Sequence, residues 1–339
     1  MTLRLIKNEP RVLGVAEYIW VDAGGTLLSK TRTVTSAQDD GSELVPIIEK
    51  WTYSAPHQLG HRNTQYILSP CHYLADPLRP QPSFIVLCEV RDQNDCTVAF
   101  NKRSVLRRAL DTEGNKLGLW WGFRQQYGLV GNPNECHKVA ERHFGACLDA
   151  ALYVHSFRQD TDGTWEFKIG PRQTPKEIDP LEPSAEAMAD HLWIARHLLV
   201  RIGQEAGVNV AFLRQHRCSV FFSSEAMRSL GVTEPLLSGL RSYLGIEESD
   251  RSALIPRISV PDRLRTFIED RRGRGNADPY ELAGDLMNVF LPSNEGDTCE
   301  SENPKESGDC RSLDRCREKH PDEGTGQGSG ADDPDPDRA

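Results

Sequence analysis

The first part of the chain alternates short apolar runs with turn residues, a pattern typical of β-strands. The run VLGVAEYIWVD over residues 12–22 ends in the turn AGGT, and LLSKTRTV follows as its expected hairpin partner. Two further apolar runs, TQYILSP and SFIVLCEV, have the same character, and RPQP marks a turn before the second. We expect a small sheet over residues 12–95, within an N-terminal domain of residues 1–98.

The following part mixes strand and helix patterns, which predicts an α+β domain over residues 99–292. Apolar positions three to four apart predict helices over NKRSVLRRALDTEG, ECHKVAERHFGACLDAALYV (residues 135–154), MADHLWIARHLLVRIGQEAG and DPYELAGDLMNVFL. Strands are predicted over GLWWGFRQQYGL, TWEFKIGP, VNVAFL and CSVFFSS. Residues 293–339 are acidic and rich in Gly, Pro and Ser, which predicts a disordered tail.

Composition narrows the class of protein. The 339 residues carry a formal net charge of −10, which argues against nucleic-acid binding because a basic footprint is missing. No uninterrupted apolar stretch is long enough for a membrane span, and the N-terminus lacks the pattern of a signal peptide. Nine scattered cysteines, several in apolar surroundings, favour reduced thiols and a cytoplasmic location.

The strand GLWWGFRQQYGL carries an unusual polar face. Arg124, Gln125 and Gln126 interrupt an apolar strand, and Arg124 and Gln126 are two residues apart, so these two lie on the same side of it. An arginine and an amide on one face of a buried strand indicate a site.

Several motifs, in order, make the chain resemble the eukaryotic-type (type II) glutamine synthetases, as a shortened and degenerate member. They are AEYIWVDAGGTLLSKTRTV, DPLRPQPSFIVLCEV, ERHFGACLDAALY, TWEFKIGP, ADHLWIARHLLVRI and EDRRGRGNADPY. The resemblance implies an N-terminal β-grasp domain, a C-terminal catalytic-type domain with a curved antiparallel sheet, and ring-shaped homo-oligomers. It also implies synthesis of glutamine from glutamate, ammonia and ATP with divalent metals.

The same resemblance implies that the metal ligands are largely replaced. The family strand W-F-G-x-E-Q-E-Y holds metals through two glutamates, and here those positions are Arg124 and Gln126. Counting back from the shared W-E-F places Gln159 at a third glutamate, with Asp160 adjacent, and the metal-binding histidine becomes Ser219. Glu166 and Glu269 remain at vestigial metal positions.

Other family features are also altered. Ser54 stands where the family has the aspartate of a loop that reaches the neighbouring subunit's site. Arg257, Arg271 and Arg272 remain at vestigial ATP and phosphate positions. The segments that line the nucleotide entrance and cover the glutamate site in the family are missing, and so is the glycine-rich loop before Ser219.

We therefore predict that glutamine synthesis is lost and that the role is regulatory, structural or partner-binding. No cofactor is expected, with Mg²⁺ or Mn²⁺ and ATP required only if activity remains. Self-association, or a hetero-oligomer with an active glutamine synthetase, is expected. The alternatives are a diverged ATP-dependent amide ligase of a specialised biosynthetic pathway, and the product of a pseudogene or a mis-spliced gene. Glu166 and Glu269 also fit plain ion pairs, and Arg124 is expected to face Glu269.

Overall fold

The computed structural model describes residues 11–37, 45–56, 63–112, 118–170, 184–258 and 265–290. The predicted disordered tail lies outside these residues and stays a prediction, as does the division into domains at residue 98. All described residues belong to one compact unit. The architecture is α+β, as the sequence predicts, with two separate sheets and helices that pack mainly on the second.

The first sheet contains the N-terminal hairpin predicted from the sequence. Its strands are β1 (Arg11–Val21), β2 (Leu27–Ala37), β3 (Val45–Pro46), β4 (Trp51–Pro56), β5 (Asn63–Ala75) and β6 (Ser83–Arg91). They lie in the order β3-β2-β1-β6-β5-β4, with β1 and β6 parallel and the other neighbours antiparallel. One face buries Tyr18 and Trp20, and Trp51 and Tyr53 pack against them from β4.

The second sheet is antiparallel and curved, and it holds the candidate site. Its strands are β7 (Trp120–Val130), β8 (Val154–Gln159), β9 (Trp165–Ile169), β10 (Asn209–Ala211), β11 (Cys218–Ser223), β12 (Leu254–Ile258) and β13 (Arg265–Asp270). The order is β12-β13-β11-β7-β9-β8, and β10 pairs with one end of β7. Thus β7, the strand with the unusual polar face, lies in the middle of the sheet.

Helices bury one face of this second sheet. They are α1 (Lys102–Thr112), α2 (Pro133–Asp149), α3 (Ala185–Glu205), α4 (Glu225–Leu230), α5 (Glu234–Tyr243) and α6 (Pro279–Phe290), with a 3₁₀ helix at Glu248–Ala253. Asn132 and Ser184 cap the N-termini of α2 and α3 through their side-chain oxygens. No helix among the described residues is long and apolar enough to cross a lipid bilayer.

The end of one helix was predicted wrongly, and some strands were not predicted. The α2 pattern was extended to residue 154, but the helix ends at Asp149 because Ala151 takes a left-handed conformation with φ of 54°. The chain then starts β8 at Val154, within the segment assigned to that helix. Neither β4 nor β8 was predicted as a strand.

The alternation along β7 decides which side chains meet the helices. Trp121, Phe123 and Tyr127 are buried against the core with α2 and α3, whereas Arg124 and Gln126 lie on the other face. Trp165 and Trp193 are part of this core, at 3% and 4% exposure.

Candidate functional site

Strand pairing brings Arg124 to the centre of a polar face. Arg124 lies opposite Lys168 of β9 on one side and opposite Ser219 of β11 on the other. Gln126 lies opposite Glu166, and Glu269 of β13 lies one strand beyond β11. The charged residues among these, with the arginines that contact the two glutamates, form the group that we call the charged cluster: Arg124, Arg158, Glu166, Lys168, Arg257, Glu269 and Arg271.

Glu269 is the most enclosed carboxylate of the charged cluster, with an exposed fraction of 0%. Nη2 of Arg124 lies 2.6 Å from its Oε1, and Nε of Arg257 donates to its Oε2 at 2.6 Å. Nε of Arg271 lies 3.1 Å from the same Oε2. The Arg124 contact is close but poorly aligned, so Oε1 accepts no hydrogen bond from the described residues. The expectation that Arg124 faces Glu269 is confirmed, and three arginines surround this one carboxylate.

Glu166 has two arginine neighbours. Nε of Arg158 donates to its Oε1 at 2.9 Å, and Nη1 of Arg124 lies 3.6 Å from its Oε2. Nη2 of Arg158 also lies 3.0 Å from Oδ1 of Asp160, so the Asp160 carboxylate pairs with that arginine. One guanidinium, that of Arg124, therefore lies between the two carboxylates that remain at vestigial metal positions.

Lys168 is one of five cationic side chains in the charged cluster, which contains two carboxylates. Burial lowers the pKa of Lys168; Glu166 opposes this, and the guanidinium groups of Arg124 and Arg158 lower the pKa further. The pKa of Arg271 is also lowered, first by burial, while Glu269 opposes the change and Arg257 and Arg124 add to it. A bound anion would stabilise the protonated form of both side chains.

Gln126 and Ser219 hold the polar face in place but bring no charge. Oε1 of Gln126 accepts a hydrogen bond from the backbone N–H of Arg217 at 3.1 Å, and the backbone N–H of Gln126 donates to the Arg217 carbonyl. Oγ of Ser219 is fully buried and has no hydrogen-bond partner among the described residues.

Ser54 and Gln159, two of the predicted site positions, do not contact the charged cluster. Ser54 lies exposed on β4 of the first sheet, opposite Gln65, and no described contact connects it to the cluster. Gln159 pairs with Trp165 at the end of β8, and its side chain contacts the Gly163 carbonyl. The residue that reaches Glu166 from β8 is Arg158, its direct partner in the ladder.

Arg272, assigned with Arg271 to vestigial phosphate positions, binds a different carboxylate. Its Nε and Nη2 donate to the Asp270 carboxylate at distances from 2.7 to 3.1 Å. This bidentate contact fixes the orientation of the guanidinium. Arg271 and Arg272 therefore diverge, one toward Glu269 and one toward Asp270.

The donor set does not fit a divalent metal. Mg²⁺ requires a near-octahedral set of oxygen ligands at about 2.0–2.1 Å. Each retained glutamate has at least two cationic side chains on its oxygens, and Arg124 cannot lose its proton to make room for a dication. Within the described ranges, no three His, Cys, Asp or Glu side chains come close enough together to hold a metal ion.

Sequence reasoning missed Arg158 and Lys168. The signal for Arg158 is the turn DTDG, where Asp160 and Gly163 hydrogen-bond to each other and reverse the chain. Counting outward from that turn pairs residue 158 with residue 166, and so predicts an arginine beside Glu166. Lys168 follows from alternation along β9, two residues after Glu166.

No protein-family model matches the chain. It is 26% identical to the glutamine synthetase of Emericella nidulans, over 80% of this chain and 90% of that relative. It is 27% identical to the enzyme of Mus musculus and 26% identical to that of Homo sapiens, in each case over 83% of this chain and 91% of the relative. The alignments run over 339 and 356 positions while they use only about four fifths of this chain, so the relatives carry internal segments that are missing here. The chain is thus similar to eukaryotic glutamine synthetases along most of its length and of theirs, as a divergent and internally shortened relative, and the ordered motifs and the two-sheet α+β architecture agree with that similarity.

Proposed function

We propose that this chain is a non-catalytic glutamine synthetase homologue, whose site has become a network of fixed ion pairs. The position of Arg124 is the observation that carries this proposal. Its guanidinium lies 2.6 Å from Glu269 and 3.6 Å from Glu166, so a permanent cation stands between the two retained acids. The role is regulatory or partner-binding.

The charges of this arrangement explain why it does not support the phosphoryl transfer that glutamine synthesis requires. Catalysis of phosphoryl transfer depends on positioning and on neutralising charge at the transferred group, with metal ions bridging the phosphates. Here the retained carboxylates already neutralise arginines, and Gln126 and Ser219 supply no anionic ligand. Such a site has no ligands left for the metal that would carry ATP.

An assay for γ-glutamyl hydroxamate tests the proposal. The purified full-length chain, with Mg²⁺ or Mn²⁺, ATP, glutamate and hydroxylamine, is expected to form no more product than a heat-treated sample. An active glutamine synthetase serves as the positive control. Saturable, ATP-dependent product formation that is lost in Glu269→Gln would overturn the proposal.

A diverged ATP-dependent amide ligase is the competing function. It predicts phosphate release from ATP that depends on a carboxylic acid and an amine other than glutamate and ammonia. A panel of amino acids and amines, with phosphate release as the readout, separates the two. Acid- and amine-dependent release would favour the ligase, whereas release at the background rate throughout supports the non-catalytic role.

We also propose that the protein associates with itself or with an active glutamine synthetase in the cytoplasm. Aromatic side chains of the first sheet support an interface, since Trp51 and Tyr53 are only partly buried and Tyr73 is 51% exposed. The described cysteines are free thiols, which suits a reducing compartment. Sedimentation at micromolar concentration, alone and mixed with an active synthetase, tests this. A strict monomer in both samples would exclude it.

A further inference from the structure

The charged cluster opens on one side into a cleft of about 300 Å³, which lies within the size range of small-molecule sites. Arg271 belongs to both, because it contacts Glu269 through its guanidinium and is one of the residues that line the cleft. The cleft walls come from residues 214–217 before β11, residues 271–274 after β13, and the 3₁₀ helix.

The lining of this cleft is strongly cationic. Five arginines line it, and Asp250 is the one acidic residue among its lining. The arginines are Arg214, Arg217, Arg271, Arg272 and Arg274. A concentration of positive charge is unexpected on a chain with a formal net charge of −10, and a concave surface of one sign concentrates ions of the opposite sign.

Three of these arginines are not engaged elsewhere. Arg271 and Arg272 have carboxylate partners in Glu269 and Asp270. The side chains of Arg214, Arg217 and Arg274 form no ion pair or hydrogen bond with any other described residue. Their guanidinium donors are therefore available to a ligand.

The backbone beneath these arginines is fixed. Arg217 and Arg274 pair with each other through a β-bridge, and the N–H of Cys218 donates to the Gly273 carbonyl at 3.0 Å. A side chain at Gly275 would lie 2.6 Å from the Leu213 carbonyl, so only glycine allows the two segments to approach this closely. The two arginine-bearing segments are thus held together by main-chain contacts before any ligand arrives.

From this arrangement we propose that the cleft binds a compact phosphate-bearing anion without a divalent metal, through Arg214, Arg217 and Arg274. Arginine forks match phosphate oxygens in pairs, and a phosphate group offers three acceptor oxygens to donors that come from more than one direction. A single planar carboxylate needs only one arginine, whose paired N–H groups bind both of its oxygens. The proposal rests on the proposed function, because it assigns the charge neutralisation that metals provide in the family to arginines of this chain.

Calorimetric titration of the full-length chain with sodium tripolyphosphate, in the presence of EDTA, tests the proposal. We expect saturable binding that added Mg²⁺ does not strengthen and that weakens as salt is raised. Arg217→Gln and Arg274→Gln should each lower the affinity about tenfold, the effect of losing one charge-assisted hydrogen bond. Arg142→Gln is the matched control, because Arg142 lies on α2 and pairs with Glu205 at the surface.

The outcomes are distinguishable. Absence of binding in EDTA at millimolar tripolyphosphate, equal affinity for citrate, or an equal loss in Arg142→Gln would overturn the anion site and leave the non-catalytic proposal standing. Binding of ATP but not tripolyphosphate would also overturn it, since recognition would then lie in the nucleoside. Binding that requires Mg²⁺ would contradict both proposals. Arg217→Lys controls for misfolding: it keeps the charge but loses the fork, so we expect a folded protein with intermediate affinity.

Discussion

Nη2 of Arg124 lies 2.6 Å from Oε1 of Glu269, and the two side chains are 10% and 0% exposed. The pair joins the central strand of the second sheet to β13, across β11. Its partners are unequal in number: Glu269 is contacted by three arginines, whereas Arg124 is contacted by two carboxylates.

This inequality predicts unequal mutational costs. Glu269→Gln leaves three guanidinium groups facing one another around a neutral amide, and should lower the free energy of unfolding by about 3 kcal/mol or more. Arg124→Gln leaves Glu269 with two arginines and Glu166 with Arg158, and should cost about 1 kcal/mol. Urea unfolding monitored by circular dichroism measures both. Equal losses, or a larger loss in Arg124→Gln, would contradict the network described here.

Divalent metals should not stabilise the protein. A ligand that binds only the folded state, at a hundredfold excess over its dissociation constant, adds about 2.7 kcal/mol to the free energy of unfolding. Because Glu166 and Glu269 are already neutralised by arginines, millimolar Mg²⁺ or Mn²⁺ should leave the melting temperature unchanged. A rise of several degrees that disappears in Glu166→Ala would reveal a surviving metal site.

Acid should destabilise the protein partly through His143. Burial lowers the pKa of His143 in the folded chain to about 4 from 6.5, although its contact with the Ala195 carbonyl opposes the shift. The unfolded chain therefore binds more protons between these values, so the free energy of unfolding falls as pH drops from about 6.5 to about 4.

Two variants on α2 isolate this effect. His143→Gln should flatten the dependence of unfolding free energy on pH in this window, whereas His137→Gln should preserve it because His137 is 60% exposed. Urea titrations at pH 7 and pH 5 provide the comparison. An unchanged slope in His143→Gln would count against the neutral, buried imidazole.

Gly170 should be intolerant of substitution. It has φ of +47°, and a Cβ there would lie 2.5 Å from Met188 Sδ and 2.8 Å from the Trp121 carbonyl oxygen. Gly170→Ala should therefore destabilise the chain by about 1–3 kcal/mol, the range for strained backbone and overpacking.

Gly145 offers the matched control. It lies within α2, and a Cβ there would meet nothing within 4 Å. Gly145→Ala should raise the free energy of unfolding by about 0.5–1 kcal/mol, because alanine favours the helix. Thermal unfolding of both variants would refute the packing described here if they shifted in the same direction.

Strand alternation was the most reliable part of the sequence prediction. It placed Arg124 and Gln126 on one face of β7, and the structure confirms this with Gln125 on the other face, bound to Arg196. The Arg124–Glu269 contact also followed from the sequence, through the family motif rather than from periodicity.

The prediction failed where no glycine or proline marks a change of direction. The chain leaves α2 at Ala150 and Ala151, residues that ordinarily continue a helix, so nothing in the local pattern announces β8. Because β8 was not predicted as a strand, the register that the turn DTDG sets between Arg158 and Glu166 was missed. Nor could the cleft be predicted, because it depends on backbone pairing between Arg217 and Arg274, which are distant in the chain.

The ion pairs around Glu269 also bear on the order in which the chain folds. Arg124, Arg257 and Glu269 come from different strands, so their contacts need the second sheet to be nearly complete. We expect these contacts to be absent from the folding transition state, as is common for interactions that close long loops. Substitutions at Glu269 should then accelerate unfolding while they leave the refolding rate nearly unchanged, so that the network governs how long the folded protein survives rather than how fast it forms.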